Sequence, residues 1–152
     1  MKSARQAAFE ALLKIQRDGA YSNLVVDAAL KENVNFDERD KAFFSNLVYG
    51  TLDRLILIDY NLSLYLNQPV RKLKPELHTI LRLGTYQLLF LDKVPSRAAV
   101  NESVNLAKVN KSAFAASLVN AVLRRVADNG LKLPEGAENS PLHTPKLCHQ
   151  IR

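Results

Sequence analysis

The chain has no tryptophan, a single cysteine and five glycines among 152 residues. With Cys148 alone, no internal disulfide can form, so the fold does not rest on oxidation. The glycines stand singly at positions 19, 50, 84, 130 and 136, which excludes a glycine-rich phosphate loop and a dinucleotide fingerprint. Long apolar runs are missing as well. The longest uncharged stretches, 42–52 and 112–123, fall short of the roughly 18 residues of a membrane helix. At the N-terminus, MKSARQAAFEALLK sets Glu10 and Lys14 where a signal peptide needs an unbroken apolar core. The expected location is the cytoplasm, with no membrane partner. Histidine is sparse: His143 and His149 share a proline-rich tail with Cys148, and His78 stands alone in an apolar stretch, so no metal-ligand spacing arises. Cys148 has no ordered base nearby in sequence to make it a nucleophile. Neither a catalytic centre nor a cofactor is expected.

What is present is apolar periodicity. Hydrophobic residues make up 47% of the chain, and they recur at helical spacing. Residues 3–18 read as a helix with Ala4, Ala8, Leu12 and Ile15 inward, closed by Gly19. Ser22 is placed to cap a second helix to Glu32 that buries Leu24, Val25, Ala28 and Ala29. Asp37 starts a third, whose acidic first turn suits the helix dipole and whose core face is Phe43, Phe44, Leu47, Val48 and Leu55. After a bend near 53–56 the pattern resumes to Leu66. Pro69 ends that element and Pro75 opens the next, which is apolar on nearly all sides from Leu77 to Leu91 and therefore central. Pro95 breaks the chain again before a helix from Ser96 or Arg97 to Val109. Ser112 is placed to cap the last helix, with Phe114, Leu118, Val122 and Val126 on one face. Residues 1–132 thus form one all-α domain, and 133–152, with three of the six prolines, read as a flexible tail or the start of a linker.

Three polar residues sit on or beside apolar faces: Arg82, Glu102 and Asn120. Burying such groups costs several kcal/mol unless they are paired. Arg82 and Glu102 fit a structural pair, two separately satisfied groups fixing helix register, or a cleft for a ligand phosphate. The structural reading is the simpler. Asn101 and Asn120, poor helix formers in mid-helix, are expected to bond a neighbouring loop's backbone.

Lys and Arg outnumber Asp and Glu by 21 to 15, a net charge of +6. A surplus of this size fits a polyanionic partner or plain solubility. The basic residues gather as Lys2 and Arg5, as Arg71, Lys72 and Lys74 in the proline-flanked loop, and as Arg124 and Arg125; Lys108 and Lys111 form a weaker group. Loops and helix ends of this kind present cations to phosphates well. No aromatic-basic interleaving of the RRM type is present.

The run RLGTYQLLFLDKVPSRAAVNESVNLAK, followed by SLVNAVLRRV, resembles the NusB-like RNA-binding domain. Within that superfamily it looks most like the N-terminal domain of RsmB (Sun/Fmu)-type 16S rRNA cytosine-5 methyltransferases. ARQAAFEALLKI, GAYSNLVVDAAL and DERDKAFFSNLVYGTLDRL agree with this, and the likeness spans residues 3–130. The resemblance implies about seven helices in two small subdomains. It further implies a non-catalytic domain that binds ribosomal RNA and positions a methyltransferase domain carried in cis. The alternative it implies is a transcription antitermination adaptor, binding RNA and a ribosomal or transcription protein. An arginine-rich N-terminal segment contributes to RNA binding in antitermination NusB; here it retains Lys2 and Arg5. The expected phosphate contacts are Lys2, Arg5, Arg71, Lys72, Lys74 and Arg125. Such methyltransferases continue into an S-adenosylmethionine-binding Rossmann domain with a Pro-Cys motif. Here Leu147 precedes Cys148 and no such domain follows within the 152 residues. The chain is therefore expected to be an isolated domain, a truncated product or a stand-alone paralogue.

Overall fold

The computed structural model of the chain describes residues 2–110 and 115–135. The Ser112 cap, Phe114, Lys111, and the tail from 136 with His143, Cys148 and His149 lie outside the described residues. Seven α-helices and one 3-10 turn are described, and no strand: α1 Ala4–Asp18, α2 Ser22–Glu32, α3 Glu38–Asp53, α4 Leu55–Ser63, the turn Val70–Lys72, α5 Pro75–Phe90, α6 Ser96–Val109 and α7 Ala116–Asn129. Each start has a local cause. The Ser3 side chain accepts the Gln6 amide, Asp37 and Asp40 form a reciprocal capping box, and Pro75 occupies the first turn of α5. The bend between α3 and α4 falls at Arg54, whose amide closes a tight turn onto Thr51.

Two groups of helices, α1–α3 and α4–α7, are joined through α5, which packs against α1, α3, α4, α6 and α7. This explains its apolar circumference: Ile80, Leu81, Leu83 and Gln87 are wholly buried. Ion pairs and hydrogen bonds fix directions. Arg5 at the start of α1 bonds Gln87 near the end of α5, while Arg17 at the end of α1 bonds Glu76 at the start of α5, so the two run antiparallel. Gly84 lets α6 and α7 approach α5 closely. A Cβ there would lie 2.6 Å from both Leu123 Cδ1 and Ser103 Oγ.

Two apolar faces differ from expectation. Tyr21, not Ser22, takes the cap position of α2, with no side-chain bond. Leu24 is 60% exposed and Ala28 is exposed, because α2 is a peripheral helix that turns only Val25 and Val26 fully inward. On α7 the buried stripe is Val119, Val122, Leu123 and Val126; Leu118 points outward, 38% exposed. No helix among the described residues is long and apolar enough to cross a membrane.

Candidate nucleic-acid interface

The predicted phosphate contacts do not form one patch. Lys2 and Arg5 lie at the start of α1 next to Gln87, whereas Arg71, Lys72 and Lys74 lie by the start of α5. Twelve residues of α5 separate those ends, about 18 Å at helical rise. Arg125 is exposed on a third element, α7. The five positions therefore run from one end of the α1/α5 pair to the other, with Arg125 apart from them.

The Lys2 and Arg5 end is the more elaborate. Lys2 Nζ meets Glu10 Oε1 at 2.5 Å, and this hydrogen bond holds the lysine pKa above its ordinary value. Arg5 is half-buried. Its Nε donates to Gln87 Oε1 at 2.8 Å, and its guanidinium carbon stands 5.1 Å above the centre of the Phe43 ring. Burial lowers its pKa, and the Glu102 carboxylate opposes that in part. Arg5 is thus a fixed, planar cation whose terminal nitrogens make no hydrogen bond among the described residues, which suits it to phosphate. Beside it Gln6 and Asn110 exchange side-chain hydrogen bonds at 3.0 and 3.1 Å, tying α1 to the end of α6. Gln6 and Asn110 escaped sequence reading and Phe43 was read only as core, because each is placed here by a contact with a residue 38 or more positions away.

At the other end Arg71 and Lys72 are exposed on the 3-10 turn, and Lys74 stands where α5 begins. Back at the Gln87 end of α5, a second stacked cation, Arg54, lies 4.8 Å over Phe90, which itself stacks on Tyr86. Aromatic-basic pairing exists here in space though not in sequence.

Arg82 and Glu102 do not pair with each other; of the two structural readings, Arg82 follows the one in which it is satisfied separately. Arg82 donates twice to Asp59 on α4, and His78 Nε2 lies 2.9 Å from the same carboxylate. Glu102 is exposed and faces the field of Arg5. Asn120 accepts from Arg124 one turn on, at 3.2 Å, and Asn101 is exposed, so neither bonds a loop backbone. Side chains this close on their own helix are satisfied before a loop can reach them. The loop contact of that kind is made by Asn61, whose side chain pairs with both the amide and the carbonyl of Lys132 and so pins the chain after α7 onto α4.

Fold and site together define a small all-helical domain organised around one buried helix, with cations displayed at helix ends. The chain belongs to the NusB family, whose family model matches residues 2–128. It is 40% identical over 129 residues to the "Probable ribosomal RNA small subunit methyltransferase B" of Bacillus subtilis, covering 85% of this chain but 28% of that protein. It is also 32% identical over 137 residues to the "Transcription antitermination protein NusB" of Xanthomonas axonopodis pv. citri, covering 90% of this chain and 86% of that one. Among solved structures, T. maritima NusB superimposes with a TM-score of 0.77 at 24% identity, covering 91% of this chain and 98% of that chain. A chain of the structure described as "Crystal Structure of Antitermination Factors NusB and NusE in complex with dsRNA" gives 0.75 at 24% identity, covering 83% of this chain and 94% of that chain. The chain therefore spans little more than a quarter of the methyltransferase relative's length and most of the antitermination relative's.

Proposed function

We propose that this domain binds ribosomal RNA and positions an rRNA cytosine-5 methyltransferase on it, with no chemistry of its own. The observation that carries the RNA-binding part is Arg5, held rigid between Gln87 and the Phe43 ring with its terminal nitrogens unbonded. A cation fixed in this way loses little side-chain entropy on meeting a phosphate. Identity of 40% to a methyltransferase-named relative, against 32% to an antitermination protein, supports the methyltransferase branch. Among the described residues no three His, Cys, Asp or Glu side chains gather as a metal site.

The alternative, an antitermination-type adaptor that binds RNA and a ribosomal or transcription protein, is favoured by one observation. The antitermination relative is matched over 86% of its length, against 28% for the methyltransferase relative. Pull-down from nuclease-treated lysate separates the two: a protein partner that survives RNA removal supports the adaptor. For RNA binding itself, the test is the salt dependence of affinity for a single-stranded rRNA fragment. Four to six phosphate contacts give a log-log slope of about −3 to −4. A slope near zero sinks the reading.

A further inference from the structure

The outer side of α4 is apolar and left uncovered by the described residues. From Leu55 to Ser63 the helix reads LILIDYNLS, and its single charged residue, Asp59, is taken up by Arg82 and His78. A helix apolar on nearly all sides is ordinarily buried all round. Here α4 packs against α5 and, less extensively, against α3, α7 and the 3-10 turn. Ile56 and Leu64 on its free side are 49% and 45% exposed, and Tyr60 is half-buried between them. Leu64, the cap residue, keeps helical backbone angles. Spacing of four residues sets the three in one row along the helix.

The chain leaves the last helix at the same place. Asn61 on α4 is wholly buried, and its side chain accepts from the Lys132 amide and donates to the Lys132 carbonyl, both at 2.9 Å. It also donates to the Leu57 carbonyl one turn back, so its own rotamer is fixed. A residue clasped by both its backbone groups has a set direction, and the chain after Lys132 therefore sets out from α4. Leu131, immediately before the clasp, is 42% exposed and extends the uncovered apolar area. Ile56, Tyr60 and Leu64 bring no cation to this row, so a protein surface suits it better than RNA does.

We propose that this face seats the domain that methyltransferase relatives carry after this one, an apolar patch of which covers Ile56, Tyr60, Leu64 and Leu131. Two observations name that occupant. In the Bacillus subtilis relative the match takes up 28% of the length, so most of that protein lies outside the part similar to this chain. The clasp at Lys132 starts the onward chain directly on α4. A short anchored tether makes docking intramolecular, at an effective concentration in the millimolar range. A modest apolar row then suffices, where a free partner needs an interface of about 1,000 Å² or more. The 3-10 turn with Arg71 and Lys72 packs against α4, so RNA held there lies beside the docked domain. The inference rests on the methyltransferase reading above and adds to it the surface through which positioning is done.

The test is hydrogen exchange on the 152-residue chain and on a fusion in which residues 1–135 replace the matched part of the B. subtilis relative. Amides of residues 55–66 are expected to exchange about tenfold or more slowly in the fusion than in the chain alone. Ile56→Asp/Leu64→Asp, at two exposed positions, abolishes that slowing, whereas Leu24→Asp on α2 leaves it in place. Thermal melting of the 152-residue chain with the α4 pair checks that its fold survives; Leu131→Asp, outside α4, serves where it does not. A fusion without slowing at 55–66, or slowing indifferent to both the α4 pair and Leu131→Asp, overturns the proposal. So does sedimentation that finds the 152-residue chain dimeric and its Ile56→Asp/Leu64→Asp form monomeric, which makes a second copy the occupant. RNA affinity keeps the two readings apart, because the docking variants retain the RNA salt slope of the parent chain. Docking without RNA binding sinks the RNA reading alone, and RNA binding without docking sinks the docking alone.

Discussion

Arg82 and Asp59 form a two-pronged ion pair between α5 and α4, with Nε–Oδ1 at 2.9 Å and Nη2–Oδ2 at 2.6 Å. Both side chains are mostly buried, 17% and 22% exposed, and His78 closes the third side of the carboxylate. The pair holds the short helix α4 against the central one.

Removing one partner leaves the other as an uncompensated buried charge. Asp59→Ala or Arg82→Ala is expected to cost about 3 kcal/mol or more, read from urea unfolding. Asp59→Leu/Arg82→Met, which removes both charges, recovers most of that. A double variant no more stable than the singles would show that the pair is not an isolated charge problem.

The same pair sets an acid limb. Burial alone would raise the Asp59 pKa, but the hydrogen bonds from Arg82 and His78 outweigh it, so the carboxyl sits below its ordinary value. A carboxyl with a depressed folded pKa is protonated first in the unfolded chain on acidification. Its stabilisation is therefore complete above the ordinary aspartate value of about 3.9 and is lost as pH falls through the lower folded value. Urea midpoints measured from pH 6 down to pH 3 should fall less steeply in Asp59→Asn than in the parent.

Gly50 and Tyr86 are matched in shape. A Cβ on Gly50 would lie 2.0 Å from the Tyr86 hydroxyl oxygen and 2.1 Å from Cζ. The ring is 4% exposed, stacks on Phe90 and donates its hydroxyl to Asn46, so it has nowhere to retreat. Gly50→Ala is expected to cost about 1–3 kcal/mol through overpacking, despite alanine's better helix propensity. Thermal melts of Gly50→Ala with and without Tyr86→Leu check this, because the smaller side chain relieves the clash.

Neighbours on α2 should behave oppositely. Leu24→Ala, at an exposed position, should stay within about 0.5 kcal/mol of the parent. Val26→Ala, where the side chain is 3% exposed, should cost about 1.5 kcal/mol or more for two buried methyl groups. Both are read by chemical denaturation.

Arg5 separates charge from geometry. Arg5→Lys keeps the cation but loses the planar stack on Phe43, so RNA affinity falls while the salt slope stays. Arg5→Gln lowers the slope itself by about 0.7 if one phosphate contact is lost. Fluorescence anisotropy over a salt series distinguishes them.

Sequence and structure divide the work along a physical line. Apolar period, caps and prolines act within a few residues, so the all-α class, the starts at Ser3, Asp37 and Pro75, the bend before α4 and the buried course of α5 were legible from the chain. Partner choice was not. Arg82 finds Asp59 across 23 positions and Arg5 finds Phe43 across 38, distances over which no local pattern carries information. Leu24 looks as apolar as Val26 in sequence, and only the peripheral seat of α2 decides which faces water. The basic residues were countable in advance; whether they share one surface depends on the antiparallel seating of α1 on α5, which parts them by a helix length. A cavity lined by Leu12, Leu52, Thr79 and Arg82 arises where helices distant in the chain meet, so its existence belongs to the tertiary structure alone.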